Sequence, residues 1–296
     1  MFYTVTFNPA IDYIMRLDRL QLGQTNRSAF EELQLGGKGI NVSYVLAQLD
    51  VPSVALGFVA GFTGDELQRA VSDSGINADF IKLKSGNTRI NVKIKGDTET
   101  EINASGPEIQ SADIERLFEK LDGLCEGDTL ILSGSVSPSV PEDIYKTIMQ
   151  SLQSKGVRFV VDASKDVLLN TLRYRPFLIK PNLAELQETV GRQLETQDDI
   201  SKAARHLQAL GAENVLVSLG EKGAFLLDAS GTEHFAPALK ITPVNTVGAG
   251  DSMVAGFLAG CAYGYETALR LGIAAGSATA ASSCLATKEE ILKLFK

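Results

Sequence analysis

From Thr129 to Val161 the chain reads TLILSGSVSPSVPEDIYKTIMQSLQSKGVRFVV. Thr129 to Leu132 and Arg158 to Val161 are short runs of apolar and β-branched side chains, the pattern of strands covered on both faces of a parallel sheet. Between them, Pro141 to Gln153 has apolar residues at helical spacing with polar residues on the other face, which predicts an amphipathic helix. Strand, helix and strand make one βαβ unit, and the alternation extends outward in both directions. Further strands are expected at Tyr3 to Phe7, Val54 to Val59, Phe177 to Ile179 and Asn214 to Val217, with covering helices at Ser111 to Leu121 and Ser201 to Leu210. The sequence therefore predicts an α/β fold with a doubly wound, mostly parallel sheet flanked by helices. Ligands in such sheets bind beyond the carboxyl ends of the strands.

Two stretches break the alternation. Ile11 to Leu35 has no helical pattern and reads as two strands around Leu22-Gly23-Gln24, and Thr88 to Asn103 reads as a hairpin turning at Lys95-Gly96-Asp97. A period of two along the hairpin puts Arg89, Asn91 and Lys93 on one face and Ile90, Val92 and Ile94 on the other. Two readings are open: an ordinary half-exposed strand, or a small lid sheet whose polar face looks toward an anionic ligand.

With 296 residues the chain is long enough for one large α/β domain or two smaller ones. Its 28 basic and 36 acidic residues give a net charge of -8, which disfavours nucleic acid and anionic membranes as partners. No apolar run is long enough for a membrane span. Met1-Phe2-Tyr3-Thr4-Val5 lacks the basic segment and apolar core of a signal peptide, so a cytoplasmic location is expected. Cys125, Cys261 and Cys284 are scattered, without disulfide or zinc spacing, and are read as reduced thiols. His206 and His234 sit in no Ser/His or Cys/His constellation, which argues against imidazole catalysis.

Three glycine-rich or capped turns carry the chemistry. Asn245-Thr246-Val247-Gly248-Ala249-Gly250-Asp251-Ser252 precedes the small and apolar run Met253 to Ala262. Glycines there allow a tight turn whose N–H groups, with the positive end of a following helix, form an anion site. No Gly-Lys-Ser/Thr of a P-loop is present, and the glycine spacing is not that of a dinucleotide site. Asp251 reads either as a helix N-cap or as a general base beside that anion site. Gly36-Gly37-Lys38-Gly39-Ile40-Asn41 is a second strand-to-helix turn with two side-chain donors. In Lys180-Pro181-Asn182-Leu183-Ala184-Glu185, Asn182 and Glu185 match a capping box.

Taken in order, these segments resemble the ribokinase-like sugar kinases, specifically the phosphofructokinase B branch. The resemblance runs over essentially the whole chain: Asn8-Pro9-Ala10-Ile11-Asp12, the Gly36 to Asn41 turn, Ser133-Gly134-Ser135, Lys180-Pro181-Asn182 with Glu185, Ser218-Leu219-Gly220, and Thr246 to Asp251. Within the branch, Thr88 to Lys93, Glu99 to Asn103 and Ser218 to Gly223 are similar to the bacterial fructose-1-phosphate kinases.

The resemblance implies ATP-dependent phosphorylation of fructose 1-phosphate at its 6-hydroxyl, with tagatose 6-phosphate kinase and, more distantly, a non-catalytic sugar-phosphate sensor as alternatives. It implies Asp251 as catalytic base and the amides of Gly248, Ala249 and Gly250 as the anion hole. Asp12, Gly36, Gly37, Asn41 and Asn91 would face the sugar, and Arg27, Lys38 and Arg89 its phosphate. Lys180, Asn182, Ser218, Gly220, Gly223, Thr246 and Ser277 would line the ATP site, and Glu185 would serve Mg²⁺ through water. The implied division is a nucleotide-binding core of 1–10, 36–87 and 104–296 with a lid of 11–35 and 88–103. Pairing of two copies through the lid sheet is a further expectation.

Overall fold

Leu130 and Leu132 point to one face of their strand and Ile131 to the other, so a strand of this composition needs cover on both faces. The computed structural model describes residues 1–163 and 165–295. The chain starts with β1 (Phe2–Thr6), β2 (Ala10–Arg16), β3 (Phe30–Gly36), α1 (Lys38–Gln48), β4 (Ser53–Val59), α2 (Gly61–Asp73), β5 (Asn77–Ala78) and β6 (Ile81–Lys82). It continues with β7 (Arg89–Lys95), β8 (Glu99–Ile102), α3 (Ser111–Leu121), β9 (Thr129–Ser133), α4 (Ile144–Leu152), β10 (Arg158–Asp162), α5 (Lys165–Leu172) and β11 (Leu178–Ile179). Then follow α6 (Leu183–Val190), α7 (Gln197–Ala209), β12 (Asn214–Ser218), β13 (Ala224–Leu227), β14 (Glu233–Ala236), α8 (Ala249–Gly260), α9 (Tyr265–Ala281) and α10 (Lys288–Leu294).

The large sheet runs β14-β13-β12-β11-β10-β9-β1-β4-β5, with β6 also on β4. Its strands are parallel from β12 to β5, and β13 and β14 add an antiparallel edge. Leu130, Leu132 and Val161 pack with Leu117 and Leu121 of α3 and Tyr145, Ile148 and Met149 of α4. Ile131 and Val160 pack on the other side with Val42, Val45 and Leu46 of α1 and Val254 and Phe257 of α8. Both faces are thus covered, as the apolar strands require.

Two helix starts differ from the sequence expectation. Helix α4 begins at Ile144, because Pro141 to Asp143 form a turn whose Pro141 carbonyl accepts from the Ile144 amide at 3.0 Å. Helix α7 begins four residues before Ser201, where Thr196 and Asp199 form a capping box.

The interruptions form a separate four-stranded sheet, β3-β2-β7-β8, in which β2 and β7 are parallel. The expected lid pieces supply it, and the sheet reaches out to Ala10 and Gly36. Strand β7 inverts the usual pattern. Asn91 and Lys93 are each 7% exposed while Ile90 is 39% exposed. An ordinary half-exposed strand would do the reverse, so the polar face is the inner one.

Candidate active site

A cleft of about 940 Å³ opens where the carboxyl ends of β1, β9, β10 and β12 meet the small sheet. Beside it lies a more apolar cavity of about 890 Å³, and the two share Asn182, Ser218 and Gly250.

Asp251 sits at the third position of α8, and Gly248 is the N-cap residue with a φ of 79°. The left-handed turn suits glycine, and a side chain there would also meet Leu285 Cδ2 at 2.5 Å. Asp251 is therefore not the cap. Its Oδ2 instead accepts from Asn41 Nδ2 at 2.8 Å. The carboxyl is 5% exposed. Burial pushes its pKa up to about 7, and nearby Asp162 pushes the same way against Lys38, the Asn41 hydrogen bond and Lys180. A carboxylate poised there, beside the amides opening α8, can accept a proton while those amides hold a developing negative charge.

Asp162, at the end of β10, lies under the cleft. It pairs with Lys38 Nζ at 3.1 Å and with Lys180 Nζ at 3.5 Å. Burial raises the Asp162 pKa, but the two ammonium groups outweigh it and hold the carboxyl below its ordinary range. Burial also opposes the charge on Lys38, and Asp162 and Asp251 more than restore it. Lys38 therefore stands at the Asp251 end of the cleft, not beside Arg89. Gly250 has no side chain to collide with Lys180, whose Nζ lies 3.2 Å from the position of a Cβ.

The strands of the small sheet bring a second polar row. Asp12 Oδ1 accepts from Asn91 Nδ2 at 2.9 Å, and Lys93 Nζ lies 3.3 Å from Asp12 Oδ2 and 3.6 Å from Glu101. Gly36 leaves Asp12 its space, since a Cβ would stand 2.9 Å from Oδ1. Arg89 is oriented through Nε to the Asn8 carbonyl at 3.1 Å. Burial lowers its pKa, partly opposed by Asp12. Among the described residues, six buried side-chain oxygens have no hydrogen-bond partner. Thr6 Oγ1, Asn41 Oδ1, Asn91 Oδ1 and Ser133 Oγ line this cleft, as does Asp162 Oδ1, which has only the ion pair with Lys180, while Thr129 Oγ1 lies outside it. Unpaired buried oxygens are costly, and their gathering in one cavity points to a polar ligand that satisfies them.

Asn182 and Glu185 do form the capping box: Asn182 Oδ1 accepts from the Glu185 amide and Glu185 Oε2 from the Asn182 amide, each at 2.8 Å. Both also line the cleft, so the capping role leaves them placed to face a ligand. The adjoining cavity is lined by Gly220, Gly223, Thr246, Ala249 and Ser277, with Leu239, Met253 and Ile273 supplying apolar walls.

Every residue that the resemblance implies for the site lines one cavity or the other except Arg27. Arg27 is exposed, on the connection between β2 and β3, and lines neither cavity. Within one chain, then, Arg27 is not brought to the cleft beside Arg89, where the resemblance had implied it. Sequence reasoning missed Asp162, Gln34, Asn8 and Leu285. Asp162 left a usable signal, a lone carboxylate ending an apolar strand run, at the edge where ligands bind.

The model of pfkB family carbohydrate kinases matches residues 5–291. The chain belongs to the pfkB family of carbohydrate kinases. A 1-phosphofructokinase of Bacillus subtilis (strain 168) is 43% identical over 297 residues, covering 100% of this chain and 97% of the relative. A D-tagatose-1-phosphate kinase of Bacillus licheniformis is 37% identical, over 96% of this chain and 94% of that one. Phosphofructokinase-2 from Escherichia coli, solved in complex with substrates and products, superposes with a TM-score of 0.94 at 28% identity, over 99% of this chain and 98% of that one. The mixed sheet, helical layers and separate small sheet of this pfkB kinase are thus a shared architecture. No helix among its described residues is long and apolar enough to cross a membrane.

Proposed function

We infer that this pfkB kinase transfers the γ-phosphoryl group of ATP to the 6-hydroxyl of fructose 1-phosphate, giving fructose 1,6-bisphosphate and ADP. The observation that carries the reading is the single cleft with a proton-accepting carboxylate, Asp251, at a helix N-terminus and a cationic lid residue, Arg89, at the other end. The 43% identity to a protein named 1-phosphofructokinase agrees with it.

In this reading Asp12, Asn91, Asn41 and the Gly36-Gly37 turn hold the sugar hydroxyls, and Arg89 grips the 1-phosphate through its planar fork. Asp251 takes the 6-hydroxyl proton as O6 attacks the γ-phosphorus, and the bond to the β,γ-bridging oxygen breaks. The amides of Gly248, Ala249 and Gly250 hold the transferring oxygens, with Lys38 and Lys180 neutralising charge. The apolar cavity around Gly220, Gly223, Thr246 and Ser277 takes the adenosine, with Asn182 and Ser218 where it joins the cleft. The donor set suits Mg²⁺ carried by nucleotide phosphates: Glu185 lines the cleft, and Mg²⁺ of this kind needs only one or two carboxylates plus water. When bound, Mg²⁺ supplies further neutralisation of the phosphates. ATP and phosphorylated sugars belong to the cytoplasm, which places the reaction there.

D-tagatose 1-phosphate differs from fructose 1-phosphate only in the configuration at carbon 4, and the 37% identical relative favours it over tagatose 6-phosphate as the competing substrate. Steady-state turnover with ATP and Mg²⁺ across fructose 1-phosphate, fructose 6-phosphate, both tagatose phosphates, fructose and ribose tests the reading. A kcat/KM for fructose 1-phosphate about tenfold above the rest, some 1.4 kcal/mol, is expected. Preference for a tagatose phosphate overturns the substrate, and binding without turnover supports the sensor.

Arg89→Ala is expected to raise KM for fructose 1-phosphate about 10- to 100-fold, the loss of charge-assisted hydrogen bonds, with KM for ATP unchanged. A rise confined to the ATP KM would refute the phosphate assignment.

The outer face of the small sheet carries Leu33, Tyr13, Val92 and Ile102 in one row across its strands. Leu33 and Ile102 are each 59% exposed. An apolar row on a sheet face suits pairing with a second copy. Sedimentation velocity is expected to give a dimer, converted to monomer by Leu33→Asp; a monomeric wild type would remove this reading.

A further inference from the structure

Gln34 lies on β3 in register with Asp12 of β2, which in turn is in register with Asn91 of β7. The three share the inner face of the small sheet and line the cleft. Gln34 alone among them reaches across to the other side. Its Nε2 donates to the Ser283 carbonyl at 3.1 Å and approaches Cys284 Sγ at 3.2 Å. Cys284 Sγ in turn donates to Glu32 Oε1, again on β3, at 3.2 Å.

The segment that Gln34 holds also touches the glycine loop. The Ser283 carbonyl accepts a second hydrogen bond, from Asn245 Nδ2 at 3.1 Å, and Asn245 Oδ1 accepts from the Val247 amide at 3.2 Å. Two residues on, Leu285 fills the space that a side chain at Gly248 would need. A continuous set of contacts thus runs from the sugar-facing row through Ser283, Asn245 and Leu285 to the turn that opens α8.

We propose that Gln34 is a positioning residue that couples closure of the lid over the sugar to the placement of the Gly248–Gly250 amides. The proposal rests on the fructose 1-phosphate kinase reading. Sugar held by Asp12 and Asn91 fixes β3, Gln34 then fixes the Ser283 carbonyl, and Asn245 and Leu285 set the glycine turn. With the latch broken, substrates still bind but the anion site is less well formed at the moment of transfer.

Gln34→Met keeps the length and packing of the side chain and removes its donor. The expected result with fructose 1-phosphate is a kcat lower by roughly tenfold, about what one net hydrogen bond supplies, with KM for ATP unchanged. A packing role alone would survive this substitution. The second readout is iodoacetamide alkylation of Cys284 followed by mass spectrometry, with Cys125, exposed and outside both cavities, as internal reference. In the wild type, saturating fructose 1-phosphate slows alkylation of Cys284 severalfold and leaves Cys125 unaffected. In Gln34→Met, Cys284 reacts faster and the sugar no longer protects it. Protection that persists in Gln34→Met means steric cover by substrate and overturns the coupling, as does a kcat within about twofold of wild type. A wild type that does not turn over fructose 1-phosphate refutes the function itself, a result distinct from either.

Discussion

Asp251→Asn is expected to lower kcat by about 10²- to 10⁴-fold while leaving the KM values for sugar phosphate and ATP nearly unchanged. Asparagine keeps the shape, and its amide oxygen can still accept from Asn41 Nδ2, so the glycine turn and the sugar contacts persist. What is lost is the proton acceptor. The pH dependence gives an independent check. Burial pushes the Asp251 pKa up to about 7. Only the deprotonated form is a base, so kcat/KM should rise with pH below about 7 and level off above it. The second ionisation of the sugar phosphate, near 6, appears in both wild type and variant. The limb present in the wild type and missing from Asp251→Asn therefore belongs to Asp251. Turnover close to wild type in the variant would remove the base assignment.

The same shift makes a stability prediction. The folded pKa lies above the ordinary value of 3.8. Between about pH 4 and 7 the unfolded chain releases this proton while the folded protein keeps it, so the site loses stability as pH rises through that window. Above 7 the whole cost of a buried carboxylate is present. Asp251→Asn carries no such cost and should melt several degrees higher than wild type at pH 8, with the gap shrinking toward pH 4. A gap that widens toward acid pH would contradict the raised pKa.

Asp162→Asn should have the larger structural effect. Lys180 and Asp162 are both deeply buried, and Lys38 shares the same carboxylate. Removing Asp162 leaves two ammonium groups facing each other with only Asp251, whose own charge burial opposes, as a counter-charge. Breaking a buried pair in this way costs about 3–5 kcal/mol, which corresponds to a Tm lower by about 10 °C. Asp162→Asn with Lys180→Met should recover part of that loss, because one uncompensated charge is gone. Activity stays low in the double variant, since Lys180 faces the cleft. Loss of the Asp162 charge also lets the Asp251 pKa fall, so the rising limb of kcat/KM moves toward acid pH. Thermal denaturation decides the matter: an unchanged Tm in Asp162→Asn, or a double variant no more stable than the single, would show that the triad carries little.

Much of this architecture was legible in local pattern. Thr129 to Leu132 and Arg158 to Val161 announced doubly covered strands because burial on both faces leaves no polar alternation to read. Gly248, Ala249, Gly250 and Asp251 were legible because anion binding by backbone amides needs glycine and a helix start next to each other in the chain. Asp251 was ambiguous between cap and base; the left-handed Gly248 occupies the cap position, which removes the first reading and leaves the second as the proposal. Asn182 and Glu185 showed the converse, a capping box that also faces the cleft.

The residues that were misplaced or missed depend on distant neighbours. Asp162 meets Lys38 across 124 positions of sequence, and Asn41 meets Asp251 across 210. Such pairs leave no spacing to read. Arg27 has the right chemistry for a phosphate, but within one chain it lines neither cavity. Lys38 has the right chemistry too, but the end of β10 draws it to the Asp251 side. The sequence by itself determined the α/β class, the order of its elements and the turns that present amides to a ligand, because these follow from hydrophobic period and from residues adjacent in the chain. Only the tertiary structure decided which charges pair, that the polar face of β7 is the buried one, and where the Asp251 proton sits, because those depend on desolvation and on fields set by groups that folding alone brings together.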